Sequence, residues 1–200
     1  MRPAVFLDRD GTMIEERGYL DRLELVSPFP YTAEAIRMLR AAGYAIVVVT
    51  NQAGVARGFF DEAFVRRVHA HLDALLAPHD AVPDAYYYCP HHPEGVVDAY
   101  RRACACRKPA PGMIHAAAAD LGLDVARSFV VGDKWLDVGL ANQAGARGIL
   151  VRTGYGETAA DDPPPGVHAH VVVPTLREAA EYIVANGSRA SAARGPRSEA

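Results

Sequence analysis

Short apolar segments typical of buried strands alternate with segments of helical periodicity along most of this 200-residue chain. The strand-like segments are 4–7, 44–49, 85–88, 129–131, 148–151 and 170–173. The segments with helical spacing are 32–42, 60–77, 111–121, 136–144 and 175–184. Strands that alternate with helices form right-handed crossover units, so this order predicts an α/β fold, Rossmann-like, with a mostly parallel sheet flanked by helices.

The length of the chain suits a single domain, which we place at residues 1–186. Half of the residues are hydrophobic, which is enough to form a sizeable core. The gap between the first two strands has room for one loop and one helix, so we expect no large cap domain. The stretch 187–200 consists mostly of Ala, Ser, Arg and Gly without apolar periodicity, and it predicts a disordered tail.

Charge and hydropathy exclude several classes of partner. The formal net charge of −3 gives no electrostatic reason to expect nucleic-acid binding. No apolar run approaches the length that spans a bilayer, so we expect no membrane partner. The N-terminus enters the first strand after one arginine and lacks a secretory signal, which predicts a cytoplasmic protein. No long apolar surface stripe is left over, and this favours a monomer.

Two carboxylates one residue apart follow the first predicted strand, in the sequence Asp8-Arg9-Asp10-Gly11-Thr12. In open α/β sheets, ligands bind just outside the carboxyl ends of the strands. Two neighbouring carboxylates suit Mg²⁺, which prefers one or two carboxylates together with substrate phosphate oxygens. One of them could also act as a nucleophile.

Polar residues also end the other predicted strands. The second strand is followed by Thr50, and the fourth by Asp133 and Lys134, while Lys108 precedes the 111–121 helix. Because the carboxyl ends of parallel strands point the same way, one crevice would hold carboxylates, a hydroxyl and cations together. These groups suit phosphoryl transfer, in which catalysis is mostly positioning and charge stabilisation.

This ordered set of motifs resembles the haloacid dehalogenase (HAD) superfamily of phosphatases over nearly the whole chain. The resemblance implies that Asp8 is the nucleophile and that Asp10 is the general acid and then the general base. Mg²⁺ would be held by the Asp8 carboxylate, the backbone carbonyl of Asp10 and Asp133. Thr50 and Lys108 would bind the phosphoryl oxygens, and Asp137, one turn beyond Asp133, would orient Lys108 or its loop.

The segment 89–109, here named the cysteine loop, contains all three cysteines of the chain. A reducing compartment disfavours disulfides, which leaves metal binding or simple burial as interpretations. Three thiols and an imidazole in two closely spaced pairs match a closed Cys₃His zinc site, which would be structural. The predicted ligands are Cys89, His91, Cys104 and Cys106, although the spacing does not decide between His91 and His92.

The cysteine loop and the segments Val48–Gly58 and Gly132–Lys134 are similar to those of the D-glycero-D-manno-heptose 1,7-bisphosphate 7-phosphatases. The resemblance implies a Mg²⁺-dependent phosphatase acting on a small-molecule sugar bisphosphate, in ADP- or GDP-heptose or lipopolysaccharide biosynthesis. The implied substrate contacts are Glu16, Arg17, Gly18, Tyr19, Thr50, Asn51, Gln52, Ala53, Arg107, Lys108 and Lys134. A second cationic site for the non-reacting phosphate could come from Arg107 or Arg57.

Three other functions were weighed against this one. Histidinol-phosphatase shares both the HAD motifs and the cysteine loop, and Glu15 and Glu16 would suit its amine-bearing substrate. A non-catalytic zinc-stapled binding module predicts that one of the catalytic motif residues is missing, and none is. A dinucleotide-binding dehydrogenase is disfavoured, because the first strand runs into Asp-Arg-Asp-Gly and not into a glycine-rich phosphate turn. The preferred anomer of the heptose is open.

Overall fold

One six-stranded sheet forms the centre of the protein, whose structure, a computed structural model, describes residues 1–187. The strands are β1 (Ala4–Leu7), β2 (Ala45–Asn51), β3 (Ala85–Cys89), β4 (Phe129–Gly132), β5 (Arg147–Val151) and β6 (Val171–Val173). Neighbouring strands are all parallel, in the order β3-β2-β1-β4-β5-β6. The predicted α/β fold is therefore confirmed, whereas all but the first residue of the predicted tail lies outside the described residues.

Six helices accompany the sheet within residues 1–187. They are α1 (Thr32–Ala41), α2 (Glu62–Leu76), α3 (Gly112–Leu121), α4 (Trp135–Ala144), α5 (Gly156–Ala159) and α6 (Leu176–Asn186). Between β1 and β2 the chain forms only a 3₁₀ turn at Leu23–Leu25 and helix α1, which agrees with the expected absence of a large cap domain.

The core has two sides because successive residues of a strand point to opposite faces of the sheet. Val5 and Leu7 of β1 pack in a cluster with buried residues of α1, α2 and α6. Ala4 and Phe6 pack on the other face with residues of α3 and α4. All four side chains are fully buried, so β1 is covered on both faces, as expected for a central parallel strand.

The element boundaries differ from the predicted ones in ways that affect the site. Strand β2 continues to Asn51 because its pairing with β3 extends as far as Cys89, so Thr50 lies inside the strand. Helix α2 begins at Glu62 and not at residue 60, since the Asp61 side chain caps it by accepting a hydrogen bond from the Phe64 N–H at 2.7 Å. Helix α5 has only four residues, too few to show a helical repeat of apolar residues in the sequence, and it was not predicted.

The strand order reverses direction between β1 and β4, which are adjacent in the sheet but not consecutive in the chain. At such a reversal the two crossover connections leave in opposite directions and open a crevice at the carboxyl ends of the strands. The fold therefore places a binding crevice beside Asp8 and Asp133. Within residues 1–187, no helix combines the length and the apolar character needed to cross a membrane.

Candidate functional site

The carboxyl ends of β1, β2 and β4, together with the neighbouring loops, enclose a cavity of about 280 Å³. The predicted site residues that line it are Asp8, Asp10, Glu16, Gly18, Tyr19, Thr50, Asn51, Gln52, Ala53, Arg107, Lys108 and Lys134. Asp133 is fully buried at the end of β4, directly after Gly132. Arg17 does not line this cavity, since its exposed side chain forms an ion pair with Glu15.

Lys108 is buried between two carboxylates at the floor of the cavity. Its Nζ lies 2.8 Å from Asp8 Oδ1 and 2.6 Å from Asp137 Oδ1, and it donates to the carbonyl of Val49 at 2.9 Å. Burial lowers the pKa of Lys108, but the charges of Asp137 and Asp8 outweigh burial and raise it above its usual value. Lys108 is therefore an ammonium held between the carboxylates of Asp8 and Asp137.

The Asp8 carboxylate forms an ion pair with Lys108. Its Oδ1 also accepts a hydrogen bond from the Arg9 N–H at 2.8 Å. Burial raises the pKa of Asp8, but the positive charges of Lys108 and Lys134 outweigh burial and hold that pKa below its ordinary value. Asp8 is consequently ionised at neutral pH, as a nucleophile requires.

Asp133 has the properties of a cation ligand. Its Oδ2 accepts a hydrogen bond from the Tyr155 N–H at 2.8 Å, whereas the buried Oδ1 has no hydrogen-bond partner among the described residues. Burial and the nearby charge of Asp8 raise the pKa of Asp133 to about 8. Carboxylate oxygens of Asp8, Asp133 and Asp137 all lie within 4.8 Å of one another. Two ammonium groups face these three buried carboxylates: Lys108, and Lys134, whose Nζ lies 3.6 Å from Asp133 Oδ1 and also pairs with Glu16. Negative charge remains in surplus, so these residues fit a hard metal ion that would neutralise it.

Glycine at position 11 is what allows the chain to close around Asp133. Gly11 has a φ of +83°, and a Cβ at this position would lie 2.2 Å from Asp133 Oδ2. Only glycine combines this left-handed backbone with such a close approach. The Gly of the Asp-x-Asp-Gly-Thr motif therefore has a packing reason within the site.

Asp10 is held by side chains, and one of its partners was not foreseen. Arg9 contacts both carboxylate oxygens, with Nε 3.1 Å from Oδ1 and Nη2 2.9 Å from Oδ2. Gln52 Nε2 donates to Asp10 Oδ2 and to Thr50 Oγ1, both at 2.9 Å. Gln52, predicted as a substrate contact, thus links two catalytic candidates. Sequence reasoning assigned no role to Arg9, and its place between two motif acids was the only available signal.

The rim of the cavity carries the residues predicted to contact substrate. Lys134 Nζ lies 3.2 Å from Glu16 Oε2 and 4.3 Å from the centre of the Tyr155 ring. Glu16 Oε1 also accepts a hydrogen bond from the Gly18 N–H at 2.7 Å, which shapes this loop. Tyr19 is half exposed and packs against Phe59 with ring centres 4.5 Å apart.

The cysteine loop reaches the cavity through Arg107 and Lys108. The backbone of Lys108 is bracketed by the Asn51 side chain, which accepts from the Lys108 N–H at 3.0 Å and donates to its carbonyl at 3.3 Å. Arg107 Nη1 donates to the carbonyl of His91 at 3.2 Å. Arg57 lies further out and contacts His92 Nε2 at 3.4 Å. Of the two arginines considered for a second phosphate, Arg107 is the one that lines the cavity.

The three cysteines and His91 form a compact cluster whose ligand atoms all lie within 4.8 Å of one another. Cys106 Sγ lies 3.2 Å from the sulfurs of both Cys89 and Cys104, too far for a disulfide bond, and 3.4 Å from His91 Nδ1. His92 points elsewhere, with its Nδ1 accepting a hydrogen bond from the Glu94 N–H. Three sulfurs and one imidazole nitrogen are the donor set of a closed structural zinc site, so the cluster could hold zinc with His91 as the fourth ligand.

Comparisons with known proteins agree with this geometry. Family models match for HAD-hydrolase-like proteins over residues 105–179 and for polynucleotide kinase 3 phosphatase over residues 4–139. The D-glycero-beta-D-manno-heptose-1,7-bisphosphate 7-phosphatase of Salmonella typhi is 45% identical over 158 residues, 78% of this chain and 84% of that protein. The D-glycero-D-manno-heptose-1,7-bisphosphate 7-phosphatase of Thermosynechococcus vestitus is 48% identical over 160 residues, 78% of this chain and 82% of that protein. The crystal structure of D,D-heptose 1,7-bisphosphate phosphatase from B. bronchiseptica, in complex with magnesium and phosphate, superposes with a TM-score of 0.80 at 34% identity. This superposition covers 92% of this chain and 99% of that one.

Proposed function

The chain belongs to the family of D-glycero-D-manno-heptose-1,7-bisphosphate 7-phosphatases, which are HAD-like hydrolases, and we propose that it removes the 7-phosphate of that sugar. It is a phosphoric monoester hydrolase. The observation that carries the proposal is the ionised, buried Asp8, with Lys108 Nζ 2.8 Å away at the floor of an open cavity. Both relatives and the solved structure named above are heptose phosphatases, so histidinol phosphate is not the favoured substrate.

In this proposal Asp8 is the nucleophile, and Asp10 is first the general acid and then the general base. A carboxylate oxygen of Asp8 attacks phosphorus, and the bond between phosphorus and the sugar oxygen breaks. Asp10 gives its proton to that departing oxygen, leaving an aspartyl-phosphate on Asp8. Asp10, now ionised, takes a proton from water, whose oxygen attacks phosphorus and releases inorganic phosphate and free Asp8. Lys108 donates to Asp8 Oδ1, which leaves Oδ2 as the attacking oxygen.

Two metal ions complete the proposal. Mg²⁺ would be held by the carboxylates of Asp8 and Asp133 and the backbone carbonyl of Asp10. It would offset the repulsion between the phosphate dianion and the Asp8 carboxylate. Zinc would be held by the Cys89, His91, Cys104 and Cys106 cluster, with no open position for substrate, and would therefore fix the cysteine loop.

The specificity of the reaction would come from the loops at the rim. Thr50 and Lys108 would bind the transferring phosphoryl group, while Glu16, Gly18 and Tyr19 would contact the sugar. Arg107 and Lys134 carry positive charge on the cavity wall and would hold the non-reacting phosphate. A monomeric state and a cytoplasmic location stay predictions from the sequence.

Replacement of Asp8 by asparagine tests the proposed chemistry. The variant should lose phosphate release from the heptose bisphosphate and keep its unfolding midpoint within a few degrees, because asparagine has the same shape and Asp137 still pairs with Lys108. Asp120, an exposed residue whose carboxylate accepts a hydrogen bond from Tyr87, provides the matched control, and Asp120→Asn should retain full activity. Retained turnover in Asp8→Asn would refute the mechanism.

A substrate comparison tests the assignment of the sugar. Phosphate release is measured on both anomers of the heptose bisphosphate and on histidinol phosphate, and kcat/KM should be highest on one of the heptose anomers, because discrimination lies in that ratio. A higher kcat/KM on histidinol phosphate would overturn the substrate but leave the hydrolase chemistry intact.

A further inference from the structure

Arg9 is an unusual residue to find inside this protein. Its side chain is only 2% exposed, and it is the largest of the fully buried side chains. Taking a guanidinium out of water costs several kcal/mol unless its hydrogen bonds are well satisfied. Yet the buried Nη1 of Arg9 has no hydrogen-bond partner within residues 1–187. An apolar side chain would fill the same space without this cost. The cost therefore indicates that the guanidinium of Arg9 has a function.

The other two nitrogens of the guanidinium, Nε and Nη2, both donate to the carboxylate of Asp10. Nε reaches Oδ1 at 3.1 Å, while Nη2 reaches Oδ2 at 2.9 Å and Oδ1 at 3.0 Å. This is the two-point contact by which arginine binds a carboxylate, and it fixes both the position and the rotation of the carboxylate plane. Gln52 adds a third donor at Oδ2, 2.9 Å away.

Two aromatic side chains lie close enough to Arg9 for its charge to act on them. His69 is buried and stacks on Tyr86 with ring centres 4.4 Å apart. Burial and the nearby charge of Arg9 together lower the pKa of His69 to about 3, so the imidazole is neutral at working pH. A neutral ring does not repel the guanidinium. The OH of Tyr86 is anchored to Asp73 at 2.6 Å, which fixes the ring on which His69 stacks.

We propose that Arg9 is a positioning residue, which holds the Asp10 carboxyl group in place for its two proton transfers. The inference rests on the acid–base role proposed above for Asp10. Asp10, at the mouth of the cavity, has a partly exposed side chain that could otherwise rotate. A proton donor that is misplaced by about 1 Å can cost on the order of a hundredfold in rate, so a rigid support has a catalytic effect.

The test compares substrates whose leaving groups differ in their need for a proton. A sugar alkoxide must be protonated as it leaves, whereas the phenolate of p-nitrophenyl phosphate leaves without a proton. Arg9→Met should lower kcat on the heptose bisphosphate roughly 30- to 100-fold, with KM changed less than about threefold. On p-nitrophenyl phosphate, kcat/KM covers only the steps up to departure of the leaving group and leaves out the later activation of water. It should fall less than about fivefold, because general-acid catalysis contributes little to those steps.

Two further variants keep the inference falsifiable if Arg9→Met does not fold. Arg9→Lys keeps the positive charge but lacks the planar pair of N–H donors. It should show the same selective loss of kcat/KM with an unchanged fold by circular dichroism. Arg147, which lies over Phe129 at the start of β5, supplies the matched control. Arg147→Met should leave kcat unchanged on both substrates.

The outcomes separate the inference from the proposed function. A purely structural role of Arg9 predicts equal losses of kcat/KM on both substrates, and that result, or unchanged kcat/KM in both Arg9 variants, would overturn the inference. Asp10→Asn sets the reference, because it should show the same selective loss in a larger degree. If Asp10→Asn retained turnover of the heptose bisphosphate, the acid–base role of Asp10 itself would be wrong.

Discussion

Replacing the metal-site acid Asp133 by asparagine is expected to stabilise the protein in magnesium-free buffer while it abolishes activity. Asp133 is fully buried, and its Oδ1 has no hydrogen-bond partner in the described part of the chain. An asparagine amide oxygen can accept the Tyr155 N–H bond that Asp133 Oδ2 now accepts at 2.8 Å. The amide NH₂ can then face the Asp8 carboxylate as a donor. The substitution thus removes the cost of keeping a carboxyl group buried here and keeps the shape.

The size of the effect follows from the pKa of Asp133, which burial and the charge of Asp8 raise from 3.8 to about 8. The native state therefore holds this proton more tightly than the unfolded chain, and stability is lost as the pH rises from about 4 towards about 8. The loss is about 1.4 kcal/mol per pH unit, hence about 2 kcal/mol at pH 5 and about 4 kcal/mol at pH 7. These are the largest gains that Asp133→Asn can show at each pH.

Urea unfolding at pH 5 and pH 7 measures the difference. The buffer contains no magnesium and no chelator, because a chelator would also remove the zinc proposed for the cysteine loop. Added magnesium at about 100 times its Kd should stabilise the wild type by about 2.7 kcal/mol and leave Asp133→Asn unchanged. The exposed Asp162 provides the control, and Asp162→Asn should follow the wild type at both pH values. A variant less stable than the wild type at pH 7, or a gain equal at both pH values, would refute the reasoning.

Three further substitutions test other parts of the site. Lys108→Met leaves the carboxylates of Asp8 and Asp137 without their shared ammonium, so we expect about 3–5 kcal/mol lower stability in urea unfolding and no measurable phosphate release. Cys106→Ser should lower the zinc content by elemental analysis, lower the unfolding midpoint and raise KM together, because Arg107 and Lys108 directly follow the last ligand. Glu16→Gln removes the ion pair with Lys134 and should change KM, whereas Arg17→Gln, outside the cavity, should leave KM within about twofold.

Much of the fold could be predicted because a parallel sheet buries both faces of its strands. The β-branched, apolar composition of residues 45–49 marks such a strand without ambiguity, and the glycines after α1 and α3 mark where those helices end. The boundaries were harder to predict. Thr50 and Asn51 belong to β2 because β3 continues to pair with them, and this pairing is a tertiary contact that no local pattern encodes.

The candidate site could be predicted where each residue follows directly from a strand end, as for Asp8 and Asp133. Side chains that act through contacts across the crevice could not be predicted in the same way. The amide of Gln52 could contact substrate or a neighbouring side chain equally well. Only the structure shows that it donates hydrogen bonds to Asp10 and Thr50. Arg17 lies in the same loop as Glu16, but an ion pair with Glu15 turns it away from the cavity.

Lys108 links the cluster of three cysteines and His91 to the proposed nucleophile Asp8. On one side its backbone follows Cys106 by two residues, and the Cys106 sulfur lies within 3.4 Å of His91 Nδ1. On the other side the Asn51 amide brackets the Lys108 peptide, and Asp137 holds its ammonium at 2.6 Å. Burial makes this ammonium costly unless carboxylates pair with it. A loop that loosened at the cluster would therefore move Lys108 away from Asp8, so in the proposed mechanism the cluster would affect catalysis through the position of Lys108 although it lacks a site for substrate.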